Sequence, residues 1–306
     1  MSTFTKQLIH TAAIALIAAA CTQTDDDTPQ GRAISFRPAA ETRAAVEKGG
    51  TPADFLVWGG YGATHLLFDG ETVHSPSWNY DGGTRYWVPG EWNFYAIHPK
   101  FSSESGVTTD VDMGNGTFTV TGFDASKTGD DAVDLMTAST PITCTDTPPT
   151  SVELAFHHEL ARVNVIIVSE GDAVTISNAK LYGISHTGSL NGNTWALGTV
   201  SGSSQPSFTT TTLAIADTQE HLLFGGDLLL PPHAGLDAAT LEFDYQYTTG
   251  DTEVKHSKLS LKTTNVTAWE KGQYIKYKIT IPLNNTDIKF SVEILPWDEK
   301  DYNVTW

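Results

Sequence analysis

The 306-residue chain carries 18 basic and 36 acidic residues, which gives a formal net charge of −18 at pH 7. Such a surface repels phosphate backbones and anionic membrane faces, so nucleic acid is excluded as an expected partner. Thirteen phenylalanines, ten tyrosines and eight tryptophans can supply a sizeable core, either in two ordinary domains or in one large sandwich.

The first 20 residues have the pattern of a secretory signal peptide. One basic residue, Lys6, precedes an apolar run from Ala12 to Ala20, and no acidic residue occurs before Asp25. The run is too short for a permanent membrane helix, which needs about 20 residues. We therefore predict that residues 1–20 are removed, which leaves a mature net charge of 17 − 36 = −19.

Cys21 directly follows three alanines, and two interpretations of this position are open. An ordinary signal cleavage would leave it as an unmodified first residue. The position also resembles the lipobox of bacterial lipoproteins, although Ala18 stands where that motif usually has leucine. We predict lipidation of Cys21 by acyl chains such as palmitate, with residues 21–32 as an acidic tether at the surface of the outer membrane. Cys144 then has no intrachain partner.

Beyond the tether, nearly every periodic segment alternates apolar and polar residues. This period of two indicates half-buried antiparallel strands, and turn sequences such as YDGGT, GNGT, SLNGNT and YTTGDT separate them. In chain order, the predicted strands are 33–38, 55–58, 65–68, 85–88, 92–97, 117–121, 134–137, 152–156, 163–168, 175–184, 221–224, 241–247, 253–261, 274–281 and 288–295.

Two features interrupt this pattern. Pro141, Pro148 and Pro149 cannot continue a central strand, so we predict a domain boundary there, with domains at 33–149 and 150–306. At HHELA (157–161) the apolar residues change parity, which requires a bulge or a turn. The fold is therefore predicted to be mainly β, as two tandem antiparallel β-sandwich domains.

Four segments carry a resemblance to a known family. They are GEWNFYAIHP (90–99), DLMTAS (134–139), LAFHHELARVNVII (154–167) and FSVEILPWDEKDY (290–302), preceded by TRA at 42–44. In this order they resemble the fimbrillin family of Gram-negative lipoprotein pilins, the type V pilus subunits. The resemblance implies two transthyretin-like sandwiches and a surface lipoprotein that is a structural or accessory (tip or anchor) pilus subunit with a role in cell adhesion.

The resemblance also implies how subunits join. In that family a trypsin-like protease cuts after an arginine just beyond the first strand, and Arg43 stands 43 − 21 = 22 residues after Cys21. Arg32 is a competing site, but a cut there would leave the strand in place. Loss of residues 33–38 would remove Ile34 and Phe36 from the sandwich, and a strand of another subunit would replace them.

The donor strand implied by the resemblance comes from the carboxy-terminal end. Its candidate is DYNVTW, in which Tyr302, Val304 and Trp306 share one face. The same segment could instead close the sheet of its own domain. A deletion of residues 301–306 would distinguish the two alternatives.

Other chemistry finds little support in the sequence. The group His157, His158 and Glu159 lies at the predicted strand break, so it lacks the helical spacing of a zinc hydrolase. GDDAVD (129–134) lacks the ligand pattern of a twelve-residue calcium loop. The chain has no P-loop, no nucleophile elbow and no dinucleotide-binding motif. We predict that it is not an enzyme and has no metal site and no cofactor.

An alternative function is capture of glycans by a surface lipoprotein. Several aromatic side chains lie close to predicted turns, and exposed rings can stack on sugars. Aromatic residues usually bury their large apolar area instead. The candidate rings are Tyr61, Trp78, Tyr80, Tyr86, Trp87 and Trp195.

Overall fold

The computed structural model describes residues 31–39, 54–62, 65–200, 205–250, 253–283 and 287–297. These residues form mostly antiparallel β-strands, which confirms the mainly β prediction. The helical residues in these ranges are a 3-10 turn at Gly129–Asp131 and the single 3-10 residue Leu283. In the same ranges, no helix is long and apolar enough to span a membrane.

The strands follow one another with short connections. They are β1 (Phe36–Pro38), β2 (Phe55–Tyr61), β3 (His65–His74), β4 (Asn79–Tyr80), β5 (Gly90–His98), β6 (Thr108–Asp112), β7 (Thr117–Asp124), β8 (Met136–Cys144), β9 (Val152–Leu154), β10 (His157–His158), β11 (Ala161–Ser169), β12 (Val174–Tyr182), β13 (Thr187–Asn191), β14 (Thr194–Leu197), β15 (Phe208–Ile215), β16 (His221–Leu222), β17 (Leu228–Leu230), β18 (Thr240–Tyr247), β19 (Lys255–Ser260), β20 (Gln273–Ile281) and β21 (Lys289–Pro296).

A six-stranded sheet, in the order β10-β8-β5-β2-β3-β4, is covered on both faces. Successive side chains of a strand point to opposite faces, and β5 shows the result. Phe94 and Ala96 pack in a core shared with β1 and β9, whereas Tyr95 and Ile97 pack in a second core. The sheet β14-β13-β7-β6 contributes to that second core.

The later strands form a sandwich of two further sheets. One has the order β16-β11-β20-β21, with β17 also paired to β11, and the other has the order β15-β12-β18-β19. The alternation predicted for residues 241–247 is confirmed, because every second residue of β18 from Leu241 onward is buried. The second core continues into this sandwich.

Strand pairs connect residues on both sides of the predicted boundary at 149. β1 pairs with β9 in parallel, and β7 pairs with β13. The division into two domains stays a prediction, and strands of the two segments share three sheets.

The predicted break at Pro141 is wrong, because β8 continues through this residue to Cys144. Pro141 pairs with Asn93 of β5, and β10 covers the other edge of β8 only at Met136 and Thr137. Pro141 therefore lies where β8 is an edge strand, a position that tolerates proline. The predicted break at HHELA is confirmed, because β9, β10 and β11 are separate strands.

Candidate functional site

The segment 32–39, which includes β1, forms the middle of a three-segment layer. Ala33 pairs antiparallel with Tyr86 on one side, and β1 pairs with β9 on the other. Besides the β1–β9 ladder, backbone hydrogen bonds hold it: Ile34 N–H to Arg85 O (2.8 Å), Trp87 N–H to Arg32 O (3.1 Å), Val152 N–H to Ser35 O (2.7 Å) and Ala39 N–H to Leu154 O (2.8 Å). Without this segment, residues 85–87 and β9 would each have an unpaired backbone edge.

Ile34 and Phe36 are the apolar side chains that this segment contributes to the first core. Each is only 2% exposed. The ring of Phe36 meets those of Phe68, Phe94 and Tyr80 edge to face, at centroid distances of 5.0, 5.6 and 5.7 Å. Burial of one such side chain contributes about 1.5–3 kcal/mol. The prediction that Ile34 and Phe36 share a buried face is confirmed.

Polar contacts of the segment lie on its solvent side. Arg37 forms an ion pair with Glu153, and both side chains are about half exposed. Arg32 Nη1 donates to Pro148 O (3.1 Å), and Ser35 Oγ donates to Thr150 O (3.0 Å). Exposed pairs of this kind stabilise little, so backbone pairing and apolar burial hold the segment in place.

Comparison with protein families matches residues 44–297 to a family described as fimbrillin-like. The match covers most of the 306 residues. The chain belongs to the fimbrillin-like family. The comparison with curated proteins finds no match for this fimbrillin-like chain.

Solved structures share its fold. A fimbrial protein from Bacteroides vulgatus is 17% identical with a TM-score of 0.57, and the match covers 87% of this chain and 100% of that one. A candidate cell adhesion protein from Bacteroides uniformis is also 17% identical, with a TM-score of 0.52 and coverage of 87% and 99%. At these identities the likeness shows the fold alone.

Several predicted site residues of the fimbrillin-like chain lie outside the described residues. They are Cys21, Arg43, Tyr302, Val304 and Trp306. Lipidation, processing and strand donation at these positions therefore stay predictions. Ile34 and Phe36 are the members of the predicted set that the structure places.

The aromatic residues considered for glycan binding mostly pack against the cores. Trp87 is buried against Trp92, and Trp195 meets Phe123 edge to face while its Nε1 donates to Glu159 O at 3.1 Å. Tyr86 is 47% exposed, and it is the one ring of the six whose residue is largely exposed. The six rings do not form an exposed stacking platform within the described ranges.

His158 and Glu159 each make structural contacts with other side chains. His158 Nδ1 lies 3.0 Å from Asp134 Oδ1, and its ring stacks on Trp297 at 3.8 Å. Glu159 accepts bonds from Thr137 Oγ1 (2.7 Å) and Lys271 Nζ (3.0 Å). In the part of the chain that the structure describes, no three His, Cys, Asp or Glu side chains are grouped as metal ligands.

Two strongly shifted pKa values belong to packed side chains. Burial lowers the pKa of His98 to about 4, against the opposing effect of Asp134. Burial raises the pKa of Tyr277 to about 12; its hydroxyl donates to Leu261 O (2.8 Å) and accepts from Trp269 Nε1 (3.0 Å). Sequence reasoning missed both groups, because only the folded chain shows their burial.

Proposed function

We propose that this chain is a subunit of a pilus, structural or accessory as a tip or anchor, that joins other subunits by exchange of β-strands and contributes to adhesion. It acts by assembly and not as an enzyme. The observation that carries the proposal is the central position of residues 32–39, whose apolar side chains fill the first core.

The space left by this segment would accept one strand. Neighbouring strands lie about 4.8 Å apart, so the two edges at 85–87 and 152–154 would stand about 10 Å apart. Unpaired backbone groups on both edges and an apolar floor that includes Phe68 and Phe94 would favour an incoming strand. A strand from another subunit would restore both kinds of contact, and repetition of the step extends a filament.

Release of the segment would follow a cut after Arg43. The cut separates residues 32–39 from the rest of the chain, and only the noncovalent contacts described above then hold them. The region that matches the fimbrillin-like family begins at residue 44, so it leaves out this segment. A cut at Arg32 would leave β1 attached and the layer filled.

Attachment to the outer membrane would occur through lipid on Cys21. Residues 21–30 separate this position from the described part of the chain, and ten extended residues reach about 33 Å. Lipidation requires Cys21, whereas strand exchange requires the removal of residues 32–39. The same molecule can therefore be anchored first and assembled after the cut.

The test compares Arg43→Ala with Arg32→Ala in cells that form surface filaments. Arg43→Ala should leave the precursor unassembled, because the first strand stays in place. Arg32→Ala should assemble as the natural chain does, and N-terminal sequencing of its assembled material should begin at Ala44. Normal filaments from Arg43→Ala, with residues 33–38 still attached, would overturn the proposal.

Lipidation has its own test. Cys21→Ser should abolish labelling with a fatty-acid analogue and release the chain from the membrane fraction, and Cys144→Ser serves as the control. Full labelling of the Cys21→Ser variant would contradict a lipid anchor at this position.

A further inference from the structure

Phe36 fills a pocket whose walls are aromatic rings from three other strands. Its ring lies edge to face with those of Phe68 (β3), Tyr80 (β4) and Phe94 (β5), at interplanar angles of 84°, 74° and 76°. Phe68 and Tyr80 also meet each other edge to face, at a centroid distance of 5.1 Å. In this arrangement the positive edge of one ring contacts the negative face of the next, so the pocket favours an aromatic side chain over an aliphatic one.

Arg85 helps to keep this pocket in shape. Its guanidinium lies 4.6 Å from the ring centroid of Phe68 and 5.5 Å from that of Tyr80. It forms an ion pair with Glu71 of β3 through both Nη atoms, and each of the two side chains is 20% exposed. The backbone N–H of Arg85 donates to Tyr80 Oη at 3.0 Å. These partners all lie outside residues 32–39, so the walls are expected to stay in place when that segment leaves.

The solvent side of the same segment leaves one ring largely uncovered. Ala33 is exposed and pairs antiparallel with Tyr86, which is 47% exposed. Side chains directly opposite each other in an antiparallel pair are in contact, and an aromatic ring gains more from a β-branched partner than from alanine. A strand with a larger apolar side chain at the place of Ala33 would therefore gain a contact that residues 32–39 do not make.

We propose that the strand of another subunit that replaces residues 32–39 carries an aromatic side chain at the place of Phe36 and an aliphatic one at the place of Ile34. A valine or isoleucine at the place of Ala33 strengthens its binding, because it covers Tyr86. This inference rests on the proposed function and specifies which strands the groove accepts. The aromatic pocket is the main determinant, because it is the part of the groove that buries a whole ring.

Arg37 provides the matched comparison, because it directly follows Phe36 and faces solvent. Its ion pair with Glu153 joins two side chains that are both about half exposed. Exposed ion pairs stabilise little. Loss of the basic side chain should therefore weaken binding of the strand far less than loss of the aromatic ring.

Peptide binding to the full chain tests the inference. In a Cys21→Ser background, the recognition sequence of a site-specific protease is inserted after Arg43, so that residues 32–39 fold in place and are then separated by the cut. A fluorescent peptide of residues 31–39 (GRAISFRPA) should bind the cut protein and not the uncut protein, as measured by fluorescence anisotropy. Failure to bind the cut protein, or equal binding to both, would overturn the inference.

Unlabelled variants of the peptide then compete with the fluorescent one. Phe36→Ala should compete at least about 100-fold less well, since it leaves the pocket empty, and Phe36→Leu about tenfold less well, since it lacks the ring contacts. Arg37→Ala should compete within about fivefold of the natural sequence. Ala33→Val should compete better than the natural sequence.

The outcomes that contradict the inference differ from those that contradict strand exchange. A Phe36→Leu peptide that competes as well as the natural one would overturn the aromatic requirement, as would an equal loss for Arg37→Ala and Phe36→Ala. An Ala33→Val peptide that competes no better would overturn the contact with Tyr86. Normal filaments from the Arg43→Ala chain would instead overturn the proposed function, and this result does not depend on any of the peptides.

Discussion

His98 is a residue at which pH acts directly on the stability of the fold. The side chain is 4% exposed at the end of β5, and burial lowers its pKa from 6.5 to about 4. Above pH 6.5 the imidazole is neutral in the folded and the unfolded chain. Between pH 6.5 and 4 only the unfolded chain takes up the proton, so the free energy of unfolding should fall by about 3 kcal/mol across this window.

The variant His98→Asn isolates this effect, since other histidines titrate in both proteins. His98→Asn is expected to be less stable at pH 7 and to lose less stability than the natural chain on acidification to pH 4. Urea unfolding at pH 7, 5.5 and 4 measures the difference. Parallel pH profiles for the two proteins would contradict the assignment to His98.

Gly183 determines how β12 ends and connects to the rest of its sheet. Its φ of +73° lies in the left-handed region, and a Cβ atom there would stand 1.8 Å from Ala238 O. Gly183→Ala should therefore destabilise the fold through both backbone strain and a clash with backbone. We expect a loss of more than about 2 kcal/mol in the free energy of unfolding.

Gly225→Ala is the matched control for the Gly183→Ala substitution. Gly225 has a similar φ of +78°, but a Cβ atom there meets nothing within 4 Å. It should cost only the left-handed backbone penalty of about 1–2 kcal/mol. Thermal unfolding of both variants checks the comparison, and an equal loss would show that the contact with Ala238 O contributes nothing.

Alternating sequence was enough to predict strands such as β18 and β20, because one face of each is buried. Residues 241–247 and 274–281 fall inside β18 and β20. Strands that are very short or alternate weakly were missed: β4, β6, β10, β13, β14, β15 and β17. Their formation depends on partners distant in the sequence, as the pairing of β7 with β13 shows, and local periodicity contains no information about such partners.

The candidate site was predictable only in part for the same reason. The alternation of Ile34 and Phe36 indicated a strand with a buried face, which the structure confirms. Its position between residues 85–87 and β9 could not be derived, because β1 joins a parallel partner more than a hundred residues later. Trp87 was a candidate for an exposed ring but is 4% exposed, since aromatic composition near a turn does not specify which face is covered.

The whole molecule is expected to unfold in one cooperative transition. The sheet β14-β13-β7-β6 combines strands from 108–124 and 187–197, and one apolar core joins it to the later sandwich. Fragments 33–149 and 150–306 should each lack cooperative unfolding when expressed alone. Calorimetry of the full chain and of each fragment measures this, and mixing the fragments should restore the transition. A sigmoidal transition of fragment 150–306 alone would contradict it.

The same shared sheet constrains the order in which the chain can fold during synthesis. Residues 54–98 emerge early, and their strands expose Trp58, Tyr95 and Ile97 on one face. The strands β13 and β14 that complete the covering sheet emerge only when residue 197 of 306 has been made. Domains tend to fold as their residues emerge. Until the sheet β14-β13-β7-β6 is complete, the packing of the second core is therefore delayed. If the chain crosses a membrane N-terminus first, its early strands would therefore lack complete tertiary packing during most of the transfer. An incompletely packed chain of this kind can still be transported.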